Sequence, residues 1–69
     1  MDFIIETASR TIPVEIKTAA RLGPADARGL EAFLDEYADV SDGALLLYAG
    51  TETFPLTRRV LAVPWWRIC

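Results

Sequence analysis

Thr11-Ile12-Pro13-Val14-Glu15-Ile16-Lys17 is the stretch that decides the fold. Its apolar residues recur at every second position, so Ile12, Val14 and Ile16 share one face while Pro13, Glu15 and Lys17 share the other. That is the period of a strand. The run before it, Asp2-Phe3-Ile4-Ile5-Glu6-Thr7, is rich in β-formers and separated only by Ala8-Ser9-Arg10, which predicts a β-hairpin with a tight connection. No Asn-Gly or Gly-Gly pair fixes the turn type, so the register rests on the pattern. Pairing Thr7 with Ile12 sets Ile5 opposite Val14, Phe3 opposite Ile16 and Asp2 opposite Lys17. Phe3, Ile5, Ile12, Val14 and Ile16 then form an apolar face, and Asp2, Ile4, Glu6, Pro13, Glu15 and Lys17 gather on the other. A slip of one residue would destroy both groupings.

Downstream, Gly23-Pro24 reads as a helix start, with proline at the first helical position and Asp26 in the positive first turn. Leu30, Phe33, Leu34 and Tyr37 follow at i, i+3, i+4 and i+7, with Ala27 a turn earlier, and predict a helix of about 15 residues with one apolar stripe. Gly29 inside it either marks a close backbone approach or is simply tolerated. Ala44-Leu45-Leu46-Leu47-Tyr48 is a continuous apolar run, the pattern of a strand buried on both faces. Strand, helix and strand make a crossover unit, and the helix is expected over the Ile12/Val14/Ile16 face. Thr51-Glu52-Thr53-Phe54 reads as a strand returning beside the third and stopped by Pro55. A further strand-like stretch, Val60-Leu61-Ala62-Val63, leads to Pro64 and the adjacent Trp65 and Trp66, which on a strand would point to opposite faces, one into the core. The expected architecture is therefore α+β: a mixed β-sheet with one helix packed on one face, in β-β-α-β-β order.

Composition bounds what such a unit can do. The chain has 69 residues, so residues 1–69 are read as a single domain, and at this size only about 60% of the extended surface is buried. A TIM barrel of about 250 residues or a two-halved dinucleotide fold does not fit. Hydrophobic residues make up 52% of the chain and mean hydropathy is +0.24, an apolar surplus that suggests a surface meant for a partner. Net charge is −3, unlike the basic footprint of a free-standing nucleic-acid binder. There is no histidine, which excludes serine-histidine and cysteine-histidine hydrolase schemes within the chain. The single cysteine, Cys69, offers no disulfide framework and, with only Arg67 close by in sequence to lower its pKa, reads as inert. Neither a signal sequence nor a transmembrane run of about 18 apolar residues is present, so a cytoplasmic location without membrane association is expected.

One constellation has a chemical reading. Glu15 and Lys17 on one strand, with Asp2 at the start of its hairpin partner, bring two carboxylates and a cation to one sheet face. Paired carboxylates suit Mg²⁺, which keeps waters and substrate phosphate oxygens as its remaining ligands. The lysine could position or deprotonate a water and stabilise developing phosphate charge. The same spacing fits an ordinary solvated ion-pair patch across a hairpin. Arg21, Arg28, Arg58 and Arg59 read as solvated cations, and the tryptophans as core or interface residues in preference to base-stacking platforms.

These segments also carry a family resemblance. Asp2-Phe3-Ile4-Ile5-Glu6, Ile12-Pro13-Val14-Glu15-Ile16-Lys17, Arg28-Gly29-Leu30-Glu31-Ala32-Phe33, Leu47-Tyr48, Phe54-Pro55-Leu56 and Val63-Pro64-Trp65 resemble the C-terminal domain, of unknown function, of a family of bacterial and archaeal AAA-type ATPases. The fold of that domain is similar to the PD-(D/E)XK, or restriction-endonuclease-like, nuclease superfamily. The resemblance implies a partial core of that kind, with Asp2 and Glu15 as Mg²⁺ ligands, Lys17 as the catalytic lysine, and nucleic acid as a conceivable substrate. The superfamily's first helix and first strand have no counterpart here, and no Gly-x-x-x-x-Gly-Lys-Ser/Thr loop for ATP is found. The chain thus reads as a truncated, nuclease-like and inactive or degenerate module of an ATPase. The alternative is a non-catalytic interaction or oligomerisation module. On either reading the partners expected are a second copy of the chain or an ATPase domain.

Overall fold

A computed structural model describes residues 2–68, and Cys69, read above as inert, lies outside the described residues. The α+β class holds. In chain order the elements are β1 (Phe3–Glu6), β2 (Thr11–Ile16), a 3-10 turn (Pro24–Ala27) running into α1 (Arg28–Glu36), β3 (Ala44–Tyr48), β4 (Phe54–Pro55), β5 (Val60–Pro64) and a closing 3-10 turn (Trp65–Arg67). The five strands form one sheet in the order β1-β2-β3-β5-β4. β1 runs antiparallel to β2 and β4 antiparallel to β5, while β2–β3 and β3–β5 are parallel.

The hairpin forms where the alternation places it, but its register is two residues from the expected one: Ile5 pairs with Ile12 and Phe3 with Val14. A side chain supplies the turn chemistry that the sequence lacks in glycine. The Thr7 hydroxyl donates to the Arg10 carbonyl at 3.1 Å and accepts from the Arg10 N–H at 3.0 Å, closing the connection around Ala8-Ser9. Because the shift is two and not one, every residue keeps its expected face. Every cross-strand partner changes, and Asp2 now stands level with Glu15 where Lys17 was expected.

Proline in an interior strand needs an account, since it cannot donate to a ladder. Pro13 faces Ile4 on one side, and on the other the parallel register begins only at Val14, paired with Leu45. Its missing N–H therefore falls where the sheet asks for no bond. Just before it, Ser41 is buried and donates to the Thr11 carbonyl at 2.7 Å, the two hydroxyls also bond, and the Thr11 N–H reaches the Val40 carbonyl. These bonds clasp the end of the helix segment to the start of β2.

The helical segment begins as expected, with the Gly23 N–H on Asp26 Oδ2 at 2.8 Å and the Asp26 N–H on the Gly23 carbonyl. It is shorter than predicted, however, and its first turn is 3-10. Ala27, Leu30 and Leu34 are fully buried, whereas Tyr37 falls at the end of α1, lies exposed and stacks on Phe33 with ring centroids 4.6 Å apart.

The helix covers the other face from the one expected. Leu30 and Leu34 cluster with Ala44, Leu46, Tyr48, Val60 and Ala62, and Leu46 is the register partner of Glu15. Pro13 and Glu15 thus face α1, while Val14 joins Leu45, Leu47 and Val63 in a second cluster made of strand residues alone. The physical reason lies in the middle of the sheet. β3 and β5 are apolar on both faces, and Ala44 and Ala62 leave room for helix side chains, so the helix is seated over these strands whatever the alternation in β2 favours.

Two further expectations are corrected. Thr51–Phe54 does not return beside β3; that place is taken by β5, and only Phe54 and Pro55 form a strand, on the outer side of β5. A strand buried on both faces needs an apolar neighbour, which Val60-Leu61-Ala62-Val63 supplies and Thr51-Glu52-Thr53 cannot. Trp65 and Trp66 do not continue a strand: beyond Pro64 the chain winds into a 3-10 turn, and both tryptophans are about half exposed. The Trp66 indole N–H donates to the Gly50 carbonyl at 3.1 Å, and the Arg67 guanidinium lies 5.2 Å from its ring centre.

Candidate functional site

Asp2, Glu15 and Lys17 come together at the end of the β1–β2 hairpin. Lys17 Nζ lies 2.8 Å from Glu15 Oε2. Period-two geometry puts both side chains on the helix-covered face, and the Glu15 side chain is only 13% exposed beneath the start of α1. An added Cβ at Gly29 would stand 3.6 Å from Glu15 Oε1, an ordinary contact, so the glycine is tolerated there and not required. Asp2 serves the backbone as well: its Oδ2 accepts the Ile16 N–H at 2.6 Å, completing the ladder of β2 where β1 has ended. The Asp2 N–H donates to the Val14 carbonyl at 2.9 Å, and the Lys17 N–H to the Leu47 carbonyl at 2.8 Å. The three residues are therefore set on well-bonded backbone.

Electrostatics assigns Lys17 a role. Its hydrogen bond to Glu15 and the Glu15 charge raise its pKa above the ordinary 10.5, with Asp26 and Asp2 adding in the same sense. Lys17 is held as a cation, which suits it to stabilise negative charge and not to accept a proton from water at neutral pH. A pair of carboxylates is a donor set that Mg²⁺ accepts, with waters completing its shell. Among the described residues no three or more acidic, histidine or cysteine side chains gather as a metal cage. A two-carboxylate set suits a lightly held, water-rich ion.

A second polar cluster escaped the sequence reading. Arg59, expected to be solvated, donates from Nε to Glu31 Oε1 at 2.9 Å and from Nη2 to Asp35 Oδ1 at 2.8 Å, with a further Nη2 bond to Glu31. The Thr57 hydroxyl also donates to Glu31. This network ties α1 to the β4–β5 loop, and it holds the Glu31 carboxyl below its ordinary range through the Thr57 and Arg59 hydrogen bonds. The only signal in the sequence was Glu31 and Asp35 four residues apart, one helical turn. Arg21, Arg28 and Arg58 are exposed, as expected of solvated cations.

A shallow cleft of about 460 Å³ lies elsewhere, lined by Ala20–Leu22 and by the Tyr48–Glu52 turn with Phe54. Gly50 is required in that turn, because a Cβ there would collide with the buried Tyr48 ring. The Tyr48 hydroxyl donates to the Glu52 carbonyl at 2.6 Å.

The architecture defines a small α+β domain, with a mixed five-stranded sheet, one helix on one face and an acid-lysine cluster where the edge hairpin ends. A family model described as a domain of unknown function, DUF4143, matches residues 1–68, and the chain belongs to that family. No curated protein and no solved structure matches it. No helix among the described residues is long and apolar enough to cross a membrane.

Proposed function

We propose that the chain is a nuclease-like module in which Asp2 and Glu15 would hold Mg²⁺ and Lys17 would stabilise charge on a phosphodiester. The observation that supports it best is the convergence of the two acids and the lysine at one hairpin end, with Lys17 Nζ 2.8 Å from Glu15 Oε2. Mg²⁺ bound there supplies Lewis acidity toward a phosphate oxygen. The chain's own residues do the rest. Asp2, oriented by the Ile16 amide, offers its second oxygen to the ion. Glu15, kept from bulk water by α1, offers a carboxylate already paired with Lys17, and Lys17 turns its charge from Glu15 toward the incoming phosphate. With net charge −3 and no histidine, this module alone binds nucleic acid weakly and turns over little or none. It acts as the C-terminal part of a cytoplasmic AAA-type ATPase whose other domains supply the phosphate-binding surface.

Magnesium titration followed by amide chemical shifts tests the metal site. Ile4 and Ile16, flanking the cluster, are expected to shift, with Glu36 at the far end of α1 as the internal reference, and Glu15→Gln is expected to abolish the response. Shifts at Ile4 and Ile16 no larger than that at Glu36 would remove the metal site and the nuclease reading with it. A second reading, a non-catalytic interaction module, is favoured by the sheet face opposite α1, where Phe3, Ile5, Ile16 and Leu61 are exposed.

A further inference from the structure

We infer that β1 is an interior strand of the working assembly, and that a second copy of this chain adds its own β1 to it, antiparallel, to make one continuous sheet across the pair. The inference starts from a mismatch. Phe3, Ile4 and Ile5 are apolar on both faces of the strand, the pattern of a strand with neighbours on both sides, yet β1 ends the sheet and these residues are 46%, 40% and 41% exposed. A flat apolar edge is what proteins ordinarily blunt with charge, proline or brevity. The opposite edge is blunted in that way: β4 has two residues, one of them Pro55. β1 carries no such device between Phe3 and Ile5.

The hydrogen-bonding geometry says which groups are on offer. The Thr7 N–H bonds to the Arg10 carbonyl, so by the alternation of an antiparallel pair Phe3 and Ile5 turn their backbone groups toward β2, while Ile4 and Glu6 turn theirs outward. Pro13, with no N–H to offer, stands opposite Ile4, in keeping with that assignment. Two copies related by a twofold axis normal to the sheet keep their helices on the same side, so only residues on like faces can meet. Centring the axis on Ile4 would set Asp2 against Glu6 of the other copy, placing like charges opposite one another, and Asp2 has already turned its N–H inward to Val14. Centring it on Ile5 avoids both faults. Ile4 then exchanges both backbone bonds with Glu6 of the other copy, twice over by symmetry, and Ile5 meets Ile5 at the close non-bonded position on the open face. Phe3 lies opposite Thr7. The strand is self-complementary in that register, which is the argument for a second copy over an unrelated strand.

The test is sedimentation over a wide concentration range, together with amide hydrogen exchange on the unmodified chain. A dimer is expected, with exchange at Ile4 and Glu6 slowing as concentration rises. Ile4→Pro removes an outward donor without touching the β1–β2 ladder, and Ile5→Lys sets two cations face to face. Each should weaken dimerisation at least about tenfold, roughly the worth of one or two net hydrogen bonds. Leu61→Lys, on the open face but away from the edge, should leave the dimer intact. A monomer throughout, exchange at Ile4 and Glu6 independent of concentration, or a dimer broken by Leu61→Lys and not by Ile5→Lys would each overturn the inference. The exchange measurement decides the matter even where a variant fails to fold.

Discussion

The two faces of the sheet are built from similar residues and have opposite fates. On one, Leu46 is fully buried beneath Leu30 and Leu34; on the other, Leu61 is exposed although its strand neighbours Ala62 and Val63 are buried. The helix-covered face contains the more polar half of β2, with Glu15 and Lys17 at its margin, and the uncovered face is the uniformly apolar one. Alternation tells which residues share a face, but not which face a helix will take. That choice is made by the two-sided central strands, and it leaves the apolar half of the hairpin without a cover.

Four substitutions test how differently the two faces respond to change. The largest effect is expected on the covered face, where Leu34→Ala removes a fully buried side chain and should cost about 2–5 kcal/mol in urea unfolding. For a domain of this size that is comparable with the whole folding free energy. Next is Gly50→Ala, where the new methyl collides with the Tyr48 ring and should cost about 1–3 kcal/mol with a change in tyrosine fluorescence. Glu31→Gln should cost about 1 kcal/mol or less at neutral pH, since its partner Arg59 is partly solvated. Its pH dependence is more telling. The folded state lowers the Glu31 pKa below 4.5, so its stabilisation is fully present above that value and fades as pH falls through the lower folded value. The cost of Glu31→Gln should therefore shrink progressively as the pH falls below 4.5, as urea unfolding across an acid series compared with pH 7 would show. Smallest is Leu61→Lys on the open face, expected to change monomer stability by no more than about 0.5 kcal/mol while improving solubility. A cost as large as that of Leu34→Ala would mean that something covers the open face after all.

Much of this was legible in advance. The period of two in β2 and the continuous apolar run of β3 gave the strands, and Leu30 and Leu34 the helix, because burial acts directly on spacing. The nearness of Asp2, Glu15 and Lys17 was legible for the same reason, since alternation across the hairpin puts them on one sheet face. What could not be read were features decided between distant segments. The hairpin register turned on a Thr7 hydroxyl replacing a glycine turn, and the neighbour of β3 on a competition between Thr51–Phe54 and β5. The Arg59 network joins side chains far apart in sequence, and the one-turn spacing of Glu31 and Asp35 does not by itself announce Arg59 as their partner.

The parallel centre of the sheet has a consequence for how the chain reaches its structure. β3 contacts both of its neighbours only after a crossover, so it has no local partner, while the β1–β2 hairpin and α1 can form from contacts close in sequence. Folding should then wait on closing the chain between Lys17 and Ala44, the long-range step that sets the rate in such topologies. Until β3 arrives, the edge of β2 that will receive it stands open in addition to the outer strand Phe3–Ile5, so both edges of the hairpin face any passing chain. Slow closure of the centre and a sticky outer strand together make the refolding yield, more than the final stability, the property most sensitive to protein concentration.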